Sequence, residues 1–240
     1  MAVGRTVAVI LAAGRGVRLG GGVPSKVLLP LAGESILVRA TRPFAEHSAI
    51  DEVIVVAAAE EMGSCAEELR RARMGDVMVI PGGATRHASE SLAVGGLAPR
   101  IERDEIELIA IHDAARPLYR GERLEELLAA ARDTGGAILA LPVDPADHLA
   151  RIEDRGPPTP VPTEGLWRAQ TPQAFRGEVL LEAFLQAEKE GREGSDTSST
   201  VERSGVSVRV VLGEPDNIKI TFPEDLSVAE SLLAARGEPD

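Results

Sequence analysis

The chain has 240 residues, 38 of them acidic and 26 basic, for a formal net charge of −12, with a single cysteine and aromatics at 2%. A chain of this length buries roughly 70–75% of its unfolded surface and needs no disulfide, and Cys65 alone offers neither an internal disulfide nor a metal cluster. The acidic total argues against a non-specific nucleic-acid or anionic-membrane binder, and the apolar run before Gly14 is too short to cross a bilayer, so a soluble, cytoplasmic protein is expected.

Short β-branched runs alternate with amphipathic stretches along the chain. Residues 6–11 (TVAVIL), 52–57 (EVIVVA), 76–80 (DVMVI), 108–112 (LIAIH), 136–141 (GAILAL) and 207–212 (SVRVVL) read as strands, most of them buried on both faces. Residues 36–46, 61–73, 85–95, 122–133 and 178–190 read as helices, and 223–235 closes the chain with Pro223 suited to a first helical turn. This order predicts an α/β fold with a mostly parallel sheet flanked by helices. One stretch breaks the pattern. Pro157, Pro158, Pro160 and Pro162 cannot lie in a central strand, so residues 142–166 are expected to leave the domain as edge strands or extended chain, either a surface loop or a projecting arm.

The turn after the first strand, LAAGRGVRLGGGVPSK at residues 11–26, lies where an open α/β sheet collects ligands. It is not a dinucleotide fingerprint: Gly14 and Gly16 fit, but Leu19 takes the third glycine position and no acid ends the second strand. Nor is it a Walker loop, since Gly22 and Val23 occupy the Lys-Ser positions. What remains is a glycine turn carrying Arg15, Arg18 and Lys26, able to wrap a triphosphate with backbone amides and to neutralise charge at phosphorus. The chain has only three lysines, Lys26, Lys189 and Lys219, so their placement carries weight.

LAAGRGVRL (11–19), followed by Lys26 behind a proline, is similar to the loop of nucleotidyltransferases that join a nucleoside triphosphate to a sugar or alditol phosphate. GGATRHAS (82–89), HDAARP (112–117), AQTPQAF (169–175) and DNIKIT (216–221) follow in order, and the five motifs together resemble the 2-C-methyl-D-erythritol 4-phosphate cytidylyltransferase family. The resemblance implies one Rossmann-like nucleotidyltransferase domain over residues 1–240, a homodimer formed through the arm, CTP and a sugar-alcohol phosphate as substrates, and Mg²⁺. It implies Arg18, Lys26 and Lys219 as catalytic residues, and nucleotide contacts from Ala12, Ala13, Gly14, Gly16, Gly83, Ser89 and Ala114, with Arg86 near Ser89. Acceptor contacts fall to Asp113, Arg116, Thr171 and Thr163, with Asp113 also the metal ligand.

Three positions depart from the family pattern. Ser25 stands between Pro24 and Lys26, Thr163 stands where the arm usually has arginine, and Ala146 replaces a threonine. The last two bear on the acceptor pocket, so a cytidylyltransferase for another alditol phosphate, such as ribitol 5-phosphate, is the alternative. A noncatalytic nucleotide-binding module is the second alternative.

Overall fold

The computed structural model describes residues 4–14, 25–153 and 156–237. The chain opens with β1 (Arg5–Leu11), passes through a small hairpin of β2 (Pro30–Leu31) and β3 (Glu34–Ser35), and enters α1 (Ile36–Ala45). Next come β4 (Glu52–Ala57), α2 (Met62–Arg71), β5 (Met78–Pro81), α3 (Arg86–Ile101), β6 (Ile106–Asp113), α4 (Leu124–Thr134) and β7 (Gly136–Pro142). A two-stranded excursion, β8 (Leu149–Arg151) with β9 (Thr159–Val161), precedes β10 (Trp167–Arg176). α5 (Gly177–Glu190), α6 (Thr197–Arg203), β11 (Arg209–Leu212) and α7 (Pro223–Ala235) complete it.

Seven strands form one sheet in the order β11-β7-β10-β6-β1-β4-β5. The pairings of β1 with β4 and β6, of β4 with β5 and of β7 with β11 are parallel. Only β10 runs antiparallel, wedged between β6 and β7. Alternation along the strands divides the core between the two faces. Ala8, Ile10, Val53 and Val55 face α1, α2 and α4, while Val7, Val9, Ile54 and Val56 face α3, α5 and α6. A third cluster joins Ala229 and Leu233 of α7 to Leu31, Ile36, Leu118 and Ile220, and so pins the chain around residues 218–220 to the domain.

The strand at 52–57 and the helix at 223–235 coincide with the sequence reading, and the differences elsewhere have identifiable causes. Helix α3 runs on past the expected stop at Gly95 because Val94, Leu97 and Ile101 keep a buried stripe at helical spacing. Burial outweighs the roughly 1 kcal/mol that a mid-helix glycine costs. Its N-cap is Thr85, whose side chain accepts from the Ala88 N–H at 3.1 Å. The β2–β3 hairpin, α6 and β10 were not anticipated. Helix α6 starts from an Asp196/Ser199 capping box in a polar stretch, and β10 carries Pro172 within it. Pairing of β10 is broken between Ala169 and Gln173, so Gln170, Thr171 and Pro172 lie outside the regular ladder and the proline costs no sheet hydrogen bond. The expected excursion is the antiparallel β8–β9 pair, with Pro160 in its second strand.

Candidate active site

β1 lies inside the sheet. The chain builds β4 and β5 to one side of it and then returns to the other side at β6, so the loops leaving β1 and β6 diverge and open a crevice at their carboxyl ends. Ala12, Ala13 and Gly14 leave β1 at this point, and Asp113 and Ala114 leave β6. The Ala12 N–H donates to the Val56 carbonyl at 2.8 Å, and the Ala114 N–H to the Leu11 carbonyl at 3.0 Å, fixing both exits. Gly82 packs directly against this turn. A Cβ there would stand 2.5 Å from the Ala13 Cβ and 2.9 Å from Ser89 Oγ, so only glycine lets the loop after β5 approach so closely. Ser89 is buried, and its hydroxyl accepts from the Gly83 N–H at 3.1 Å and donates to the Thr85 carbonyl at 3.0 Å. The side chain expected to contact nucleotide thus shapes the Gly82–Gly83 turn. Gly16 and Arg18 lie outside the described residues.

Asp113 is the centre of the charged groups. Its Oδ1 accepts from Arg86 Nε at 3.1 Å and its Oδ2 from Lys219 Nζ at 2.7 Å. Burial opposes its charge, but Arg86 and Lys219 outweigh that cost and hold the carboxyl far below the usual range. The Asp113 N–H donates to Thr171 Oγ1 at 3.0 Å, so the hydroxyl's own proton goes to His112 Nδ1, 3.1 Å away. His112 Nε2–H then donates to the Arg116 carbonyl at 3.1 Å. One tautomer satisfies every partner, and burial pushes the imidazole down to about 4, which keeps it neutral. Because β10 runs against its neighbours, its first half emerges at the carboxyl edge of β6, and this brings Thr171 over Asp113.

The lysines from opposite ends of the chain meet here. Lys26 Nζ donates to the Ile220 carbonyl at 2.6 Å, one residue from Lys219. Arg116 reaches the same loop, donating to the Asn217 carbonyl at 2.7 Å and to the Ala169 carbonyl at 3.3 Å. Asn217 is fully buried and donates from Nδ2 to the Thr171 carbonyl at 2.8 Å, while Gln170 and Glu214 exchange two further bonds. These bonds tie the loop between β11 and α7 to β10. Arg116 Nε is buried and without a hydrogen-bond partner among the described residues, an arrangement that costs about 1–3 kcal/mol unless a ligand oxygen meets it.

Lys26, Lys219, Asp113, Arg116 and Thr171 therefore come together as expected, beside Ala12, Ala13, Gly14, Gly83 and Ala114. None of the bonds that gather these residues involves Thr163, which the family pattern places toward a second subunit. Thr163 lies in the stretch after β9, where its carbonyl accepts from the Leu166 N–H at 3.0 Å. Nor does Asp113 suit a direct metal ligand. Each of its oxygens already faces a cation, and Arg116 adds a third positive charge. Sequence reading missed His112, Gln170, Asn217, Glu90 and Thr197. For Glu90 a signal existed, since Arg86 and Glu90 stand four apart on one helix, the spacing of an ion pair. Glu90 is 1% exposed and accepts from Arg86 Nη1 at 2.6 Å and from the Thr197 hydroxyl. Burial pushes its carboxyl up to about 7, against the opposing pull of Arg86 and Thr197.

Residues 6–235 match the family model of 2-C-methyl-D-erythritol 4-phosphate cytidylyltransferase. The chain belongs to this family. A cytidylyltransferase of this name from Symbiobacterium thermophilum is 39% identical over 230 residues, 94% of this chain and 91% of its own length. The corresponding protein of Deinococcus radiodurans is 41% identical, over 95% of this chain and 89% of its own. Among solved structures, the 4-diphosphocytidyl-2C-methyl-D-erythritol synthase of Anaerococcus prevotii superposes with a TM-score of 0.82 at 26% identity, covering 96% of each chain. The 2-C-methyl-D-erythritol 4-phosphate cytidylyltransferase of Thermus thermophilus gives 0.73 at 30%, covering 94% of this chain and 98% of its own. For a cytidylyltransferase, a crevice lined by glycine turns on one side and by lysine and arginine on the other is the arrangement the chemistry needs. Such chemistry calls for amides that phosphates can approach closely and for fixed cations facing the charge that develops at phosphorus.

Proposed function

We propose that the chain transfers CMP from CTP to 2-C-methyl-D-erythritol 4-phosphate, forming 4-diphosphocytidyl-2-C-methyl-D-erythritol and pyrophosphate. The observation that carries this reading is the meeting of Lys26 and Lys219 at the β1–β6 crevice, Lys26 on the Ile220 carbonyl next to Lys219, and Lys219 on Asp113. The acceptor phosphate attacks the α-phosphorus of CTP directly, and pyrophosphate leaves. No side chain becomes covalently attached, so the protein acts by alignment and by charge stabilisation. Lys26 and Arg18 neutralise the triphosphate side. Arg116 and Lys219 hold the acceptor phosphate, with Asp113 and Thr171 orienting the alditol. The glycine turn built by Gly82, Gly83 and Ser89 supports Ala12, Ala13 and Gly14 against the nucleotide. Magnesium is proposed as the counter-ion of CTP, carried on its phosphate oxygens. Family membership favours methylerythritol phosphate over ribitol phosphate as the acceptor, and an enzyme over a noncatalytic module. Pyrophosphate release from CTP over a panel of alditol phosphates tests this. Turnover with ribitol 5-phosphate and none with methylerythritol phosphate would overturn the acceptor, and CTP binding without turnover on any acceptor would overturn catalysis.

The β8–β9 excursion is proposed as a dimerisation arm of a single nucleotidyltransferase domain in a cytoplasmic enzyme. Ile152 is 62% exposed and Trp167 47% exposed, with Leu149 and Leu166 also open to solvent, an apolar surface that a second subunit would cover. A light-scattering mass near twice 25.3 kDa is expected, and a monomer's mass would remove the arm from this role.

A further inference from the structure

Glu90 is a costly residue to place where it stands. A carboxylate inside α3 with 1% exposure loses several kcal/mol of hydration, and an apolar side chain of similar size would pack there without that loss. Its bonds indicate what it provides. Arg86 Nη1 is held from behind by Glu90 Oε1 at 2.6 Å and lies 3.4 Å from Thr197 Oγ1, while its Nε reaches forward to Asp113 Oδ1 at 3.1 Å. Thr197, fully buried at the first turn of α6, donates to the same Glu90 oxygen. The guanidinium is therefore clamped between two carboxylates, one deep in the helix layer and one in the crevice. An arginine side chain tethered at one end only would keep much of its rotamer freedom.

We infer that Glu90 is a positioning residue for the transfer reaction: with Thr197 it fixes Arg86, and Arg86 sets the direction in which the Asp113 carboxylate faces the acceptor. Glu90 touches no substrate. Its influence passes through two ion pairs, so it bears on the acceptor half of the site and leaves the CTP half alone. The inference rests on the proposed reaction for its kinetic reading and on the Arg86 geometry alone for its structural one.

The test uses the full chain with Glu90→Gln, Glu90→Leu, and Glu90→Leu combined with Thr197→Asp, which returns a carboxylate to the other side of the same guanidinium nitrogen. Removing one charge-assisted contact that positions a binding group should raise KM for the acceptor about tenfold or more in the single variants, with KM for CTP moving less than about twofold. The double variant should recover most of that loss. An unchanged acceptor KM overturns the inference. So does a joint fall in kcat and in affinity for both substrates with a lowered Tm, the mark of a merely structural carboxylate, and so does failure of Thr197→Asp to restore acceptor affinity. If the wild-type chain fails to turn over methylerythritol phosphate, the proposed reaction fails by itself, and a crystal structure of Glu90→Leu still decides: loss of the Arg86 Nε to Asp113 contact supports the inference and its retention overturns it.

Discussion

At the carboxyl ends of β1 and β6, Asp113 is 7% exposed and contacts Arg86, Lys219 and Thr171, while His112 beneath it is fully buried with both ring nitrogens engaged. In the β8–β9 pair, Leu149, Ala150, Arg151, Thr159 and Pro160 are all exposed, and among the described residues the two short strands pair only with each other. The first region is over-determined, since Asp113 and His112 are each held from two or more elements. A two-stranded ribbon, by contrast, is marginal alone in water and gains from whatever covers it. The difference teaches where substitutions act: within the crevice they should change chemistry and stability together, and in the ribbon they should change assembly and little else.

Four experiments would break or sharpen this contrast. Lys26→Ala should lower turnover on the order of 10²–10³ fold, the effect of deleting one preorganised donor to developing charge, and single-turnover kinetics with CTP would read it. Intact turnover would remove Lys26 from the chemistry. His112 gives the next effect. Its imidazole is neutral in the fold down to about 4 but takes a proton below about 6.5 when unfolded, so its contribution is full above 6.5 and is lost as pH falls toward 4. That window is worth about 3 kcal/mol. Glu90, raised to about 7 in the fold, favours folding in the opposite direction over much of the same range. The measure is therefore the difference between wild type and His112→Asn in denaturant titrations across pH 4 to 7, and parallel curves would refute it. Gly82→Ala should cost about 1–3 kcal/mol and weaken CTP binding, because its Cβ would collide with Ala13 and Ser89. Ile152→Ser in the ribbon should move monomer stability by less than about 0.5 kcal/mol while shifting the light-scattering mass toward 25.3 kDa.

Much of the fold and site was legible because the residues that build them are local signals. β-branched runs marked β1, β4, β6 and β7, and the rarity of lysine singled out Lys26 and Lys219. β10 was illegible for a physical reason: a proline argues against a central strand, and nothing local says that the ladder breaks at Gln170 to Pro172 to accommodate it. The C-terminal end of α3 was hidden because tertiary burial overrode Gly95, Gly96 and Pro99. His112 and Thr197 carry no pattern of their own, and the Arg86–Glu90 spacing does not reveal that Glu90 is buried. Their roles depend on partners distant in sequence, Thr197 lying 107 residues from Glu90.

The position of β10 also bears on how the sheet is completed. β6 and β7 are consecutive strands joined by α4, yet they never pair with each other, because the strand that belongs between them is made only after the ribbon. Until residues 167–176 emerge during synthesis, each of these apolar strands keeps a long unpaired edge facing the gap, and such edges invite pairing with other chains. The Asp113–Thr171 contact belongs to this closure. A chain cut before Trp167 would lack both the central strand and the Thr171 roof over Asp113, so filling the gap between β6 and β7 and covering this side of the crevice are one step.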